Sequence, residues 1–549
     1  MILPKSWMME AAPRRSPAPW RSQALLALIV LGGVALKLAA WPAPVGHHAL
    51  DGSNYYQVAA HVAAGDGLQT RLSLYHQGLR SFPQETNLYP LWPLVLGYAA
   101  RVGDLQTLAV ALPTALYALS LVLLHALTNA LAGALSRGRR PRVEGPVPSV
   151  TVGHAAALLF ALNPVFFRHT SLPYAEGLVY GTCFASLLAL DRTRSRDGLG
   201  WAFVAGGLAG ASFLSRPQML PLLAAVPLAL AVTGGSRRAL AGAALAALAG
   251  ATAVAVWTWH LYGFIAPFSP LVLVDYSAYR ATPELARFPI TLGADSWWGF
   301  VVDRFDGLRA AFDPFHANAY ARSFGAAVYL VPLAFAAIAI AAPPVRQSWA
   351  WIRSSEARTP IGVALTGAGA LAAVHVHHGT LIWEWWFHWR HGLPMILPIA
   401  LALAVLAATG PRWLRGLALL LVAWSVASGA VAVDETSRFL RYATAGPSAE
   451  EAALVRWADS RRPPVRMVTT RAQGLAAFSE RAGFHWTVCG DDPRQTERLF
   501  VFAGATHVLL YPGEEHCPGF RTVLASLRPA ASFGRLRVLA APTVVSRVP

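Results

Sequence analysis

The chain has 549 residues, 55% of them hydrophobic and 13% charged, with mean hydropathy +0.43 and a formal net charge of +17. A soluble domain carries nearer ~25% charged residues, which excludes a water-soluble protein. The basic excess does not mark a nucleic-acid binder, because the arginines fall in short clusters between apolar segments, as cytoplasmic loops of membrane proteins do.

The N-terminal tail, residues 1–22, carries Lys5, Arg14, Arg15 and Arg21 and is expected on the cytoplasmic side. The apolar run 24–40 has no convincing cleavage site after it and reads as a first membrane helix rather than a removed leader. Residues 46–104 follow as a polar loop. Within it, 53–64 reads as an amphipathic helix lying flat on the membrane, with Asn54, Gln57 and His61 on one side and Tyr55, Ala59 and Val62 on another. Gly65 is the expected stop. Further spans are predicted near 105–135, 150–167, 177–190, 199–214, 218–232, 239–262, 324–342, 361–376, 392–409 and 416–433. Arginine clusters at every second connection give about eleven crossings with consistent alternation. The connection 263–322 holds five Asp and one Glu and is too polar to cross. Asp303, Asp306 and Asp313 in it read as solvated charge or as part of a mobile loop over a site.

From Asp434 the composition changes, and 434–549 reads as a small soluble α/β unit. Helices are expected at 448–460, 473–481 and 493–504, and strands at 465–469, 506–511 and 535–541. The alternation puts this unit outside the cytoplasm, where Cys489 and Cys517 can form a disulfide; two cysteines alone leave the pairing open. Cys183 falls inside a span.

The same alternation gathers Asp51, Glu85, Glu176, Arg216 and Arg390 at one membrane face. Charges in or beside spans are costly and mark function. Acids there would activate an acceptor, and arginines would bind phosphate. Each has a plainer reading beside it. Asp51 and Glu176 can cap helices, Arg390 can snorkel in an aromatic belt, and Arg216 can neutralise a carboxylate. Trp383, Trp385, Trp386 and Trp389 read as interface anchors. His47, His48, His375, His377, His378, His388 and His391 lack ligand spacing on one helix face, so no metal is predicted, although a divalent ion stays possible.

Taken in order, these motifs resemble the GT-C membrane glycosyltransferases, especially the protein O-mannosyltransferases and the aminoarabinose transferase of lipid A. The resemblance rests on Asp51-Gly52-Ser53-Asn54-Tyr55-Tyr56 after the first span, Gly65-Asp66-Gly67, Tyr89-Pro90-Leu91-Trp92-Pro93, Ser171-Leu172-Pro173-Tyr174-Ala175-Glu176, Ser215-Arg216-Pro217 and Arg390-His391-Gly392-Leu393-Pro394. It implies a polytopic GT-C fold over 23–433 with a soluble domain behind it. It also implies an inverting transfer of a sugar from a polyprenyl-phosphate donor to an acceptor lipid, glycan or protein hydroxyl. In that scheme Asp51 is the general base, Glu176 and Glu85 are supporting carboxylates, Arg390 and Arg216 hold the donor phosphate, and Tyr55, Tyr56 and His391 line the acceptor or sugar. The family commonly has a second acid where Gly52 stands, and Glu176 replaces an Asp. The expected setting is a bacterial inner membrane, with the N-terminus cytoplasmic and the C-terminal domain on the far side. A flippase for lipid-linked saccharides and a silent scaffold are the rival readings. A transporter should show midplane charges and inverted repeats, neither of which is evident.

Overall fold

The computed structural model describes residues 19–40, 51–73, 84–86, 89–137, 149–195, 198–262, 353–378, 390–409, 412–443, 446–487 and 504–541, with 265, 489, 496–497 and 499–500. The chain begins with α1 (Pro19–Ala40) and α2 (Asp51–Ala64). A connecting segment follows with β1 (Gln69–Thr70), β2 (Leu72–Ser73) and β3 (Gln84–Glu85), and then α3 (Leu91–Ala99). The helical body continues through α4 (Leu105–Arg137), α5 (Ser149–Ala161), α6 (Pro164–His169), α7 (Glu176–Arg192), α8 (Gly198–Ser215), α9 (Leu220–Val232) and α10 (Arg237–Tyr262). It closes with α11 (Arg358–His378), α12 (Ile396–Thr409) and α13 (Arg412–Ala443).

Every predicted span except 324–342, which lies outside the described residues, is helical here. Among the described residues, four helices are long and apolar enough to cross a bilayer: Ser22–Ala40, Leu105–Ser136, Gly198–Ser215 and Arg237–Leu261. Leu25, Leu28 and Leu31 on α1 and Leu245, Leu248 and Val256 on α10 are exposed, as lipid-facing positions are. The predicted span 150–167 is not continuous. Asn163 caps α6, its Oδ1 accepting from the Phe166 N–H at 2.9 Å, and Pro164 follows at a position that cannot continue α5. The last long helix runs to Ala443, ten residues beyond the predicted end at 433, so the composition change at Asp434 falls inside it. Helices α8 and α10 meet backbone to backbone: a Cβ on Gly206 would clash with the Ala243 carbonyl oxygen. Small residues at such crossings let membrane helices pack without a hydrophobic driving force.

The C-terminal unit contains α14 (Ala449–Ser460), β4 (Arg466–Thr469), α15 (Ala472–Phe478), β5 (Gly483–Trp486), β6 (His507–Leu510), β7 (Arg528–Phe533) and β8 (Leu536–Ala540). Ser448 and Glu451 form a capping box at the start of α14. The six-stranded sheet has the order β2-β5-β4-β6-β8-β7. Strands β2, β5, β4 and β6 are parallel, while β8 and β7 are antiparallel additions. Parallel strands are buried on both faces. Met467, Leu475, Phe484 and Val538 form one layer, and Val468, Val508, Leu510 and Phe520 form the other. Strands β5 and β7 were not anticipated, because neither alternates clearly. The predicted helix 473–481 stops at Phe478; of the predicted 493–504, residues 496–497 and 499–500 are helical and Gly504 is not. The sixth strand, β2, comes from the loop after α2, more than 400 residues earlier in the chain.

Candidate active site around Glu176 and Arg216

Segment 171–176 leads from α6 into α7, and it is gripped from several sides. Trp92, fully buried on α3, donates its Nε1–H to the Pro173 carbonyl at 2.7 Å. Gly52, in the first turn of α2, lies against the same stretch: a Cβ there would sit 3.4–3.5 Å from Tyr174, Leu172 and Pro173. A methyl group fits that contact, but a longer acidic side chain would meet these residues. Tyr55 is buried and packs edge-on to Tyr174 at 6.2 Å between ring centres, and His169 meets the same ring at 4.9 Å.

Glu176 is the first residue of α7, where the helix N-terminus favours an anion. Arg216 leaves α8 in an extended conformation at the start of the short 3₁₀ turn Pro217–Met219. Its Nη2 meets Glu176 Oε1 at 2.5 Å, with the carboxylate side chain only 3% exposed and the guanidinium 11%. Arg216 Nε is buried with no hydrogen-bond partner among the described residues. Glu176, Val179, Tyr180, Arg216, Gln218, Met219 and Pro394 line a small, partly open cleft with room for about one water molecule. Pro394 belongs to the 3₁₀ helix Arg390–Met395. At about 2 Å per residue, the Arg390 backbone lies only ~8 Å along that helix from the cleft wall.

The predicted residues thus separate. Glu176 and Arg216 form one ion pair. The backbone of Asp51 opens α2, one residue from Gly52 on the 172–174 segment; the side chains of Asp51, Arg390 and His391 lie outside the described residues. Glu85 is not brought to the cleft. It sits on β3 opposite Gln69, half-exposed, with its Oε1 2.6 Å from His260 Nε2 at the end of α10. Tyr56 turns towards the start of α4, and burial, with Asp104 beside it, pushes its phenol above the usual range. Neither tyrosine of the pair is among the residues that line the cleft. The side chains of His375, His377 and His378, and both chain and side chains of His47, His48 and His388, also lie outside the described residues. The paired cysteines are joined: Cys489 and Cys517 form a disulfide with Cα atoms 4.7 Å apart, while Cys183 is buried and free.

No protein-family model and no curated protein sequence matches the chain. Solved structures do. The oligosaccharyltransferase of Archaeoglobus fulgidus, tethered to an acceptor peptide containing the NVT sequon, aligns at a TM-score of 0.50 and 13% identity, over 90% of this chain and 69% of that one. The same organism's archaeal oligosaccharyltransferase AglB, with an inhibitory peptide and a dolichol-phosphate, gives 0.50 at 12% identity, over 89% and 69%. The chain has the GT-C fold. ArnT from Cupriavidus metallidurans, bound to undecaprenyl phosphate, also aligns, at a TM-score of 0.46 and 14% identity, over 97% of this chain and 100% of that one.

Within this GT-C fold, one residue of the site region escaped the reading of the sequence. Lys37 is fully buried near the end of α1, its Nζ donating to Thr170 Oγ1 at 2.8 Å, Ser171 Oγ at 3.0 Å and the Phe167 carbonyl at 3.2 Å, and lying 4.5 Å from the Tyr117 ring centre. It ties α1 to the segment that enters Glu176. The signal was present, since this chain has only two lysines and one interrupts an apolar span.

Proposed function

We propose that the protein is an inverting glycosyltransferase that moves a sugar from a polyprenyl-phosphate donor to an acceptor hydroxyl. The observation that carries this reading is the placement of Asp51. It heads a non-spanning helix whose first turn rests on the segment leading into the buried Glu176–Arg216 pair, in a GT-C fold. The dolichol-phosphate held by the archaeal relative supports a lipid-linked donor of the same class.

In this reading Asp51 takes the proton from the acceptor hydroxyl as its oxygen attacks the anomeric carbon. The bond from that carbon to the donor phosphate breaks on the opposite face, and polyprenyl phosphate leaves. Arg390 contributes the planar, permanently charged group suited to the departing phosphate, and Arg216 supports it from the cleft. Glu176 fixes Arg216 and orients the acceptor. Glu85 and the Tyr55–Tyr56 pair take no direct part: Glu85 is engaged by His260, and the tyrosines pack the helix in place. His391, next to Arg390, is the remaining candidate for lining the sugar. The setting that fits is a cell-envelope membrane, with the site facing away from the cytoplasm.

The test is reconstitution of the purified protein in lipid with a panel of polyprenyl-phosphate sugars. Release of free polyprenyl phosphate from one of them supports the assignment and names the sugar. Movement of donor between leaflets without release would replace it with the flippase reading.

A further inference from the structure

Helix α2 packs on α15 of the C-terminal unit, and Gln57 supplies a buried hydrogen bond between them. Gln57 is buried on the side of α2 that also carries Asn54 and His61. Its Oε1 accepts from the Arg71 N–H at 2.7 Å and lies 2.9 Å from Thr70 Oγ1, and its Nε2 donates to the Ala476 carbonyl at 2.7 Å. Ala476 lies in the last turn of α15, where carbonyls have no acceptor role left within the helix. The Ser479 N–H takes the Leu475 carbonyl, and Gln57 takes the next one. A glutamine 419 residues away thus completes the end of α15.

The strand that follows extends the connection. Leu72 is fully buried in the core of the C-terminal unit with Met467, Leu475 and Phe484. The Phe484 N–H donates to the Arg71 carbonyl at 2.8 Å, and the Arg71 guanidinium reaches the Glu480 carbonyl. Without β2, strand β5 would be an open parallel edge, so the sheet is complete only with the loop after α2.

The same network reaches the first turn of α2. Thr70 Oγ1 lies 2.9 Å from Gln57 Oε1 and 3.0 Å from Asn54 Oδ1, so its single hydroxyl proton is shared between the two side chains and links them. Asn54 is fully buried, and its Nδ2 has no hydrogen-bond partner among the described residues. Asn54 stands three positions after Asp51, the spacing that makes helix positions neighbours.

We infer that Gln57 is a positioning residue for Asp51 and that the C-terminal unit acts through it as part of the transfer machinery. This rests on Asp51 being the base. The unit sets the axial position and tilt of α2, and Thr70 relays that setting to the turn that carries Asp51 and Asn54.

The experiment compares full-length wild type, Gln57→Glu and Gln57→Ala in lipid. It uses donor-dependent release of polyprenyl phosphate together with hydrogen exchange at residues 472–486. Glutamate is nearly isosteric. Once ionised it keeps an acceptor for Thr70 and Arg71 but sets an oxygen against the Ala476 carbonyl, so the contact to the C-terminal unit is lost. Both variants should show faster exchange in 472–486. Their kcat should fall by about ten- to a hundred-fold, the scale of an ångström misplacement, with donor KM little changed. Faster exchange with kcat at the wild-type value would overturn the inference, as would loss in Gln57→Ala with full activity in Gln57→Glu. Absence of release by the wild type with every donor is a different result: it removes the transfer reading, and this inference with it.

Discussion

Removing either member of the Glu176–Arg216 pair should be far more damaging than removing both. Arg216→Met keeps the aliphatic stem and deletes the guanidinium; Glu176→Gln keeps the shape and deletes the charge. The ions meet at 2.5 Å with side chains 3% and 11% exposed, so both have lost most of their water. Charges ~4 Å apart at an effective dielectric near 20 attract by about 4 kcal/mol. Desolvation costs several kcal/mol per ion, which leaves the net contribution of the pair close to zero. Deleting one partner keeps the desolvation cost of the other, and a loss of about 3–5 kcal/mol is expected for each single variant. The double variant places two neutral side chains in nearly the same volume and should recover most of that loss. The assay is thermal unfolding in lipid nanodiscs over the complete double-mutant cycle, with donor turnover measured on the same samples. With single losses of about 3–5 kcal/mol each and a double variant within about 1 kcal/mol of wild type, the coupling is expected to be about 5–9 kcal/mol. Turnover should stay lost in the double variant even as stability returns, because the chemistry needs the charges and the fold does not. Single effects that add to within ~0.5 kcal/mol would refute a shared, desolvated ion pair. Recovery of turnover together with stability would show that the pair only packs.

Three further outcomes follow from other parts of the molecule. His485, fully buried in β5, has its imidazole pushed down to about 3 by burial, with Arg466 adding to it. It is therefore neutral when folded, while the unfolded chain takes up a proton below about pH 6.5, so stability should fall as the medium is acidified through that value. The slope approaches 1.4 kcal/mol per pH unit, or about 2 kcal/mol by pH 5, and circular dichroism melts of the full chain at pH 7.5 and 5.0 would read it. Reduction of Cys489–Cys517, which closes a separation of 28 residues, should cost about 3–4 kcal/mol and increase proteolysis within 489–520 before any membrane helix is cut. Lys37→Met should not lower the melting temperature, because Thr170 and Ser171 keep their bonds to the Phe166 and Phe167 carbonyls and a buried amine is costly in itself. A loss of more than ~3 kcal/mol in that variant would mean that the lysine stabilises the α1 contact outright.

The helical body was largely legible because apolar length and arginine alternation are local signals. They placed α4, α7, α8 and α10 within a few residues of where they lie. The break at Asn163–Pro164 was also written locally, but a long apolar run hid it. The α2 helix was readable from its periodicity, and its stop at Gly65, with φ of +94°, from glycine's access to the left-handed region. What a single sequence could not disclose were contacts between distant segments. Nothing local pairs Glu176 with Arg216 forty residues on, and a two-residue strand such as β2 has no period to detect. Gln57 looked like the polar side of a surface helix, and only the fold turns that side towards Ala476. Glu85 is a further case: only the fold shows that this loop carboxylate meets His260 at the exposed end of α10.

The central claim is that Asp51 is the base of a transfer from a polyprenyl-phosphate sugar. The measurement that tests it most directly is single-turnover release of polyprenyl phosphate by wild type and Asp51→Asn in lipid, with melting temperatures matched to show that α2 still folds. Asparagine can still cap a helix but cannot accept the acceptor's proton. The account predicts a fall in rate of about 10²- to 10⁴-fold with donor binding retained. Release by Asp51→Asn at the wild-type rate would contradict it.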